Sequence, residues 1–199
     1  MLTSDVLIVG GGIVGASLAV GMSGKGAKVR LLDGGDGDIR ASRSNFGLVW
    51  VQSKGHDMPS YARWTRTSAD LWANFAAELT ARSGIALHHR RCGGLSFCLG
   101  AEALAEKRAA FARLHNQFAQ GYADVTVLDR IELERLLPGV RLGNDVAGAS
   151  FSPDDGDCDP LALLQALNAV MAQSGVQRHS EAKAMGVSVH GGHFRVQTG

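Results

Sequence analysis

Three glycines, Gly10, Gly12 and Gly15, form G-x-G-x-x-G directly after the apolar run Val6-Leu7-Ile8-Val9. That spacing suits a pyrophosphate. The first glycine permits a tight turn, the second lets backbone approach the phosphates, and the third lets a following helix pack close to the strand. The helix then directs its unbonded N–H groups and the positive end of its dipole at the anion. A second strand, Lys28 to Leu32, ends in Asp33, 23 positions after Gly10. This is close to the interval expected of an acid that accepts a hydrogen bond from a ribose hydroxyl. A negative charge there repels a 2′-phosphate, which makes NADP the least suitable occupant. The glycine motif alone is a weak signal, but here strand, glycines, helix, second strand and terminal acid follow in order. The competing reading is a structural βαβ turn in which Asp33 merely caps a loop.

The elements that carry these residues must be told apart from a membrane segment, because residues 6–24 are 19 consecutive uncharged residues. That is about the length of a spanning helix. Six of them are glycine, each costing a helix about 1 kcal/mol relative to alanine. A secretory leader fits poorly too, since Asp5 stands where a basic region belongs and no small-x-small site closes the run. No membrane span is expected. The four-residue run 6–9 reads instead as a strand buried on both faces of a parallel sheet.

With 199 residues, 45% of them hydrophobic, the chain can form one large or two small domains. A net charge of +1 without a basic block gives no case for nucleic acid. Cys92, Cys98 and Cys158 make an odd count without C-x-x-C spacing, so neither a disulfide framework nor a zinc site is indicated. The cytoplasm is the expected compartment.

Beyond Asp33, residues 34–59 are rich in turn formers and read as loop, ordered around the apolar stretch 46–51. From Ser60 to about Ser83 the spacing predicts a helix. Tyr61, Trp64, Ser68, Leu71, Trp72, Phe75 and Leu79 fall on one face, expected to be core, and Arg63, Arg66, Asp70, Asn74, Glu78 and Arg82 on the other. A strand is predicted over 93–99, a helix over 101–118, then a short strand and short helix broken at Pro138. Residues 146–153 are a weaker strand candidate. In "DDGDCDP" the alternating Asp155, Asp157 and Asp159 suggest a calcium loop, but Pro160 and Ala166 fall where a glycine and a glutamate are needed. A helix start, with Asp159 as N-cap and Pro160 as first helical residue, accounts for it better. A further strand and a hairpin turning at Gly191-Gly192 end the chain. His88, His89, His190 and His193 lack partners at ligand spacing and read as turn and strand-end residues.

The segments "VLIVGGGIVGASLA", "ASRSNFGLVWVQSKG", "CGGLSFCL" and "GASFSPDDGDCDPLALLQAL" together resemble the FAD-dependent D-amino-acid oxidase, glycine oxidase and sarcosine oxidase family. Within it they look most like the flavin subunits of bacterial opine oxidases and amine dehydrogenases. The resemblance implies an α/β fold: a Rossmann-like FAD-binding domain, incomplete, over residues 1–90 and 150–199, with part of an α+β substrate domain over 91–149. It implies FAD as cofactor, its pyrophosphate on Gly10, Gly12 and Gly15 and its adenosine ribose on Asp33. Ser42, Arg43 and Asn45 would lie along the pyrophosphate, ribityl chain and flavin, with Phe46, Gly47 and Leu48 beside the isoalloxazine ring.

The implied reaction is oxidation of the C–N bond of an amino acid, opine or secondary amine by hydride transfer to flavin. The cofactor carries the difficult step, so no acid/base pair need be visible, and the catalytic residues are unknown. Partners would be the small amine or amino-acid substrate and a second subunit or further copies of the chain. Family members continue for about as long again beyond a point like Gly199. Residues 1–199 alone are therefore expected to be inactive, with the edge of the first strand left open. Two other readings stay open: a shortened, non-catalytic binding or assembly module, and a NAD-dependent oxidoreductase built on the same first unit.

Overall fold

The computed structural model describes residues 3–35, 40–116 and 125–199. Along the chain the elements are β1 (Val6–Val9), α1 (Ile13–Ser23), β2 (Val29–Leu32), β3 (Leu48–Val49), α2 (Pro59–Ser83), β4 (Gly94–Leu99), α3 (Gly100–Asn116) and β5 (Thr126–Asp129). They continue with α4 (Arg130–Leu136), β6 (Val146–Ser152), β7 (Gly156–Asp157), α5 (Pro160–Gln173), β8 (Gln177–His179), β9 (Ala184–His190) and β10 (His193–Thr198). The chain divides into two compact units, one built from residues 1–46, 75–87 and 159–199, the other from 47–74 and 88–158.

In the first unit, β1, β2 and β8 form a parallel sheet in the order β1-β2-β8, with Val6 opposite Val29 and Arg30 opposite Gln177. The 19-residue uncharged run is thus strand, turn and helix. No helix among the described residues is long and apolar enough to cross a membrane. Helix α1 packs on both β1 and β2 and beside α5, burying Ala16, Ala19 and Val20. Small residues let the helix approach the sheet. Helix α5 buries an almost continuous apolar face from Ala162 to Met171 and starts where the sequence reading puts it. The Asp159 carboxylate accepts from the Leu161 and Ala162 amides at 2.9 and 3.0 Å, and Pro160 opens the helix. The predicted burial of β1 on both faces needs correction. All four residues of β2 are buried, whereas in β1 only Ile8 is, and Val9 is 56% exposed. Strand β1 lies at the edge of the described sheet, and the central strand receives the cover. The hairpin β9–β10 pairs His190 with His193 across Gly191-Gly192 as expected, both glycines having positive φ.

The second unit is built on an antiparallel sheet in the order β4-β6-β5, packed by α3 and α4. Strand β6, a weaker strand candidate in the sequence, is its centre. Its Gly, Ala and Ser residues have little intrinsic preference for a strand but allow close packing. A Cβ on Gly148 would collide with the Leu128 carbonyl and come within 2.9 Å of Leu104. The short pair β3–β7 joins Leu48 to Asp157. Helix α4 starts on a capping box, the Asp129 carboxylate accepting from Glu132 N–H and the Glu132 carboxylate from Asp129 N–H. It ends before Pro138. Helix α3 runs to Asn116, and the predicted extension to residue 118 lies outside the described residues.

Helix α2 has the predicted span, but its buried face is rotated from the predicted one: Leu79 is inside as expected, Trp72 and Phe75 are half-buried, and Arg63, Asp70, Asn74 and Glu78 of the predicted outer face stay exposed. Ala62, Arg66, Ala69, Ala76 and Leu79 are buried, while Tyr61, Trp64 and Leu71 are 37%, 69% and 59% exposed. Alanines permit a closer approach than an aromatic stripe, and the cost of burying Arg66 is offset by Asp154, 3.7 Å away. Trp72 is half-buried and stacks on His89, the ring centroids 5.5 Å apart. His89 therefore has a packing partner beyond the bare turn position read from sequence.

The three alternating acids have three separate tasks. Asp155 is fully buried and accepts from the Val51 and Gln52 amides at 2.6 and 3.2 Å and from Gln52 Nε2 at 2.6 Å. Gln52 in turn donates to the Gly94 carbonyl and accepts from Ser150 Oγ at 2.6 Å. Asp157 takes both arms of the Arg90 guanidinium, at 2.9 and 2.7 Å. That hydrogen bond holds the Asp157 carboxyl below the usual carboxylate range and raises Arg90. Asp159 caps α5.

Candidate functional site

The glycine turn leaves β1 at Gly10, whose φ of +100° is one that side chains other than hydrogen rarely allow. Its N–H is tied to the Leu32 carbonyl at 2.8 Å, fixing the turn against the end of β2. Gly12 is the N-cap of α1 and supplies no side-chain cap. The missing acceptor comes from elsewhere: Ser42 Oγ accepts the Ile13 amide at 3.0 Å. The loop after β2 thus returns over the helix N-terminus. A Cβ on Gly12 would stand 2.8 Å from Ser42 Oγ, and one on Gly11 would stand 2.5 Å from Asp33 Oδ2. A Cβ on Gly15 would overlap the Gly10 carbonyl and lie 3.2 Å from Ile8. Gly15 therefore sets the helix-to-strand distance rather than lining the site.

These groups border a cavity of about 430 Å³, lined by Gly10, Gly11, Gly12, Asp33, Arg40, Ala41, Ser42, Arg43, Leu164, Asn168 and Arg178. All belong to the first unit. Three arginines, one carboxylate and a helix N-terminus border it, an excess of positive charge that favours a diphosphate. Asp33 sits at the rim of β2, its backbone N–H bonded to the His179 carbonyl at 2.9 Å. The turn carrying Ser42 and Arg43 is closed by Arg43 and Ser44 amides on the Arg40 carbonyl at 2.8 and 3.0 Å.

Of the residues singled out in the sequence, the structure brings Gly10, Gly12, Asp33, Ser42 and Arg43 to this one cavity, with Gly15 behind it. The remaining four are not among its lining. Asn45 donates from Nδ2 to the Ala41 carbonyl at 2.8 Å, and Phe46 is 89% exposed. Gly47, with φ +67°, accepts the Cys158 amide at 2.9 Å, and Leu48, 56% exposed, opens β3. Sequence reasoning missed Arg40, Leu164, Asn168 and Arg178. The last three come from α5 and β8, far along the chain, and nothing in their local pattern marks them.

The cradle fits a dinucleotide diphosphate: glycines where a Cβ would collide, a helix N-terminus, guanidinium groups, and a carboxylate just past the end of β2. A parallel β-α-β unit with this turn defines the class as a dinucleotide-binding protein. Residues 5–199 match the DAO family, described as FAD dependent oxidoreductase, and the chain belongs to that family. Among its relatives, a subunit of the opine oxidase of Rhizobium meliloti is 39% identical over 180 residues, covering 90% of this chain and 48% of that protein. Glycine oxidase of Bacillus licheniformis is 25% identical over 162 residues, covering 81% of this chain and 41% of its own length. The crystal structure of glycine oxidase from Geobacillus kaustophilus superposes with a TM-score of 0.84 at 23% identity, over 98% of this chain and 51% of that one. The chain spans about half the length of the curated relatives it matches. The family is FAD-dependent, so the NAD reading of the same first unit gives way.

Proposed function

We propose that these residues hold the adenosine diphosphate portion of FAD in an oxidoreductase that acts on the C–N bond of an amino acid, opine or secondary amine. The carrying observation is the convergence of Gly10, Gly12, Asp33, Ser42 and Arg43 on one cavity with an excess of guanidinium groups. Gly10 and Gly12 admit the pyrophosphate to the helix N-terminus, Arg43 adds countercharge, and Asp33 accepts from the ribose. Ser42 holds the loop to the helix through Ile13 N–H. Asn45, Phe46, Gly47 and Leu48 belong, on this reading, to the ribityl and isoalloxazine end. FAD, when bound, supplies a two-electron acceptor for the hydrogen and electron pair on the carbon that bears nitrogen, leaving an imine for water to hydrolyse.

Residues 1–90 and 150–199 form the FAD-binding part, and residues 91–149 belong to the part that meets the substrate. The likeness to a protein named as a subunit supports a second chain as partner, and the cytoplasm as the compartment follows from the sequence reading. The test is release of the cofactor from the purified protein by heat, followed by chromatography. Released FAD is expected from a form of the length of the relatives, with turnover of one of these amine classes when an artificial electron acceptor is supplied; residues 1–199 alone are expected to show none. A colourless protein that binds NAD would overturn the proposal.

A further inference from the structure

The two oxygens of the Asp33 carboxylate have different surroundings. Oδ2 faces the glycine turn and takes Nη2 of Arg178 at 3.4 Å. No donor among the described residues reaches Oδ1. Arg178 stands on β8 opposite Leu31 of β2, and its Nη1 donates to Asn168 Oδ1 on α5 at 3.0 Å. The guanidinium is thus held from two elements at the wall of the cavity, with Arg178 and Asp33 side chains 33% and 19% exposed. A carboxylate this close to a diphosphate would repel it unless a cation offset the charge.

We propose that Arg178, anchored by Asn168, is a positioning residue for the adenosine end of the dinucleotide. It occupies Oδ2 of Asp33, which turns Oδ1 to the ribose hydroxyl, and it offsets the carboxylate charge beside the diphosphate. The inference rests on the FAD reading and deepens it, since neither the glycine motif nor the acid at its end calls for a cation on β8. Two consequences separate it from a merely structural ion pair. Losing Arg178 weakens ligands that carry the adenosine diphosphate, and removing the Asp33 charge as well recovers part of that loss.

The experiment strips flavin from the holoprotein and titrates wild type, Arg178→Met, Arg178→Lys, Asn168→Ala and the double variant Arg178→Met/Asp33→Asn with FAD, and separately with ADP. Flavin fluorescence follows FAD and calorimetry follows ADP. Arg178→Met is expected to bind both ligands about 10- to 100-fold more weakly, the range of one charge-assisted hydrogen bond. Arg178→Lys keeps the charge but not the fork, so it should fall between. Asn168→Ala leaves Asp33 and Arg178 in place but removes one anchor of the guanidinium, and should weaken FAD by about threefold or more, less than losing the cation itself. It provides the reading should Arg178→Met fail to fold. The double variant should bind FAD better than Arg178→Met alone. If wild type takes up FAD and either Arg178→Met or Asn168→Ala binds it equally well, the proposal is overturned and the FAD reading stands. Weaker FAD with unchanged ADP also overturns it. A wild type that takes up no FAD removes the FAD reading itself, and this inference with it.

Discussion

Replacing Asp155 by alanine removes the acceptor for three donors in a site with no access to water. Oδ1 receives the Val51 and Gln52 amides and Oδ2 receives Gln52 Nε2, at 2.6 to 3.2 Å, and the residue is 0% exposed. Each stranded buried donor costs about 1–3 kcal/mol. Gln52 Nε2 keeps the Gly94 carbonyl at 3.0 Å, so its loss is smaller than that of the two backbone amides. Neighbouring losses are not additive, and about 4 kcal/mol is the expected total. Asp155→Asn keeps an oxygen for the backbone donors but sets an amide nitrogen against Gln52 Nε2, at a cost of about 2 kcal/mol. Urea denaturation followed by circular dichroism reads this directly. With a slope of about 2 kcal/mol/M, the midpoint should fall by about 2 M for alanine and about 1 M for asparagine. A midpoint for Asp155→Ala within about 0.3 M of the parent would refute the argument that this carboxylate holds the segment after Trp50 in place.

Gly12→Val should abolish FAD binding, because its Cβ would already stand 2.8 Å from Ser42 Oγ where backbone must meet phosphate; wild-type affinity in a flavin titration would contradict this. Gly15→Ala should destabilise the protein by more than the about 1–3 kcal/mol of ordinary overpacking, since the added methyl overlaps the Gly10 carbonyl; a thermal melt measures it. On α2, Ala69→Leu should cost about 1–3 kcal/mol and Leu71→Ala under about 0.5, reversing the order an aromatic core face would give. The lowered Asp157 carboxyl contributes stability that is present above the ordinary aspartate range, near pH 4, and lost as pH falls through its own lower value. Asp157→Asn should therefore differ from the parent at pH 6 and converge with it in strong acid, read by denaturation at each pH.

Much of the first unit was legible because its signals are local. Strand, glycines, helix and Asp33 lie within residues 6–33, and the start of α5 is written in Asp159-Pro160. The acids of residues 154–159 were separable for the same reason, since Pro160 and Ala166 stand where a calcium loop needs glycine and glutamate and Asp159-Pro160 reads as a helix start. What escaped depends on partners distant in sequence. Helical spacing marks an apolar side of α2, yet bulk alone does not fix its rotation when the neighbour accepts alanines and a paired Arg66. Strand β6 looked weak because propensity describes a residue's own preference, while its place at the centre of a sheet comes from β4 and β5. Asn168 and Arg178 reach the cavity only because α5 and β8 return to β2. Residues 45–48 carry the family resemblance, but their chemistry depends on surroundings that no spacing rule supplies.

The pairing of β2 with β8 joins residues 147 positions apart, as in Arg30 with Gln177, and this sets an order of events as the chain is made. At about 5–20 residues per second a ribosome needs roughly 7–30 s to pass from one strand to the other. Through that interval β2, whose four residues are all buried in the finished fold, has no partner on its β8 side, while residues 47–158 are completed. The second unit can thus close first, inside an interruption of the first. The nascent chain carries a strand with one edge open until β8 is made, an edge that another chain could pair with in the meantime.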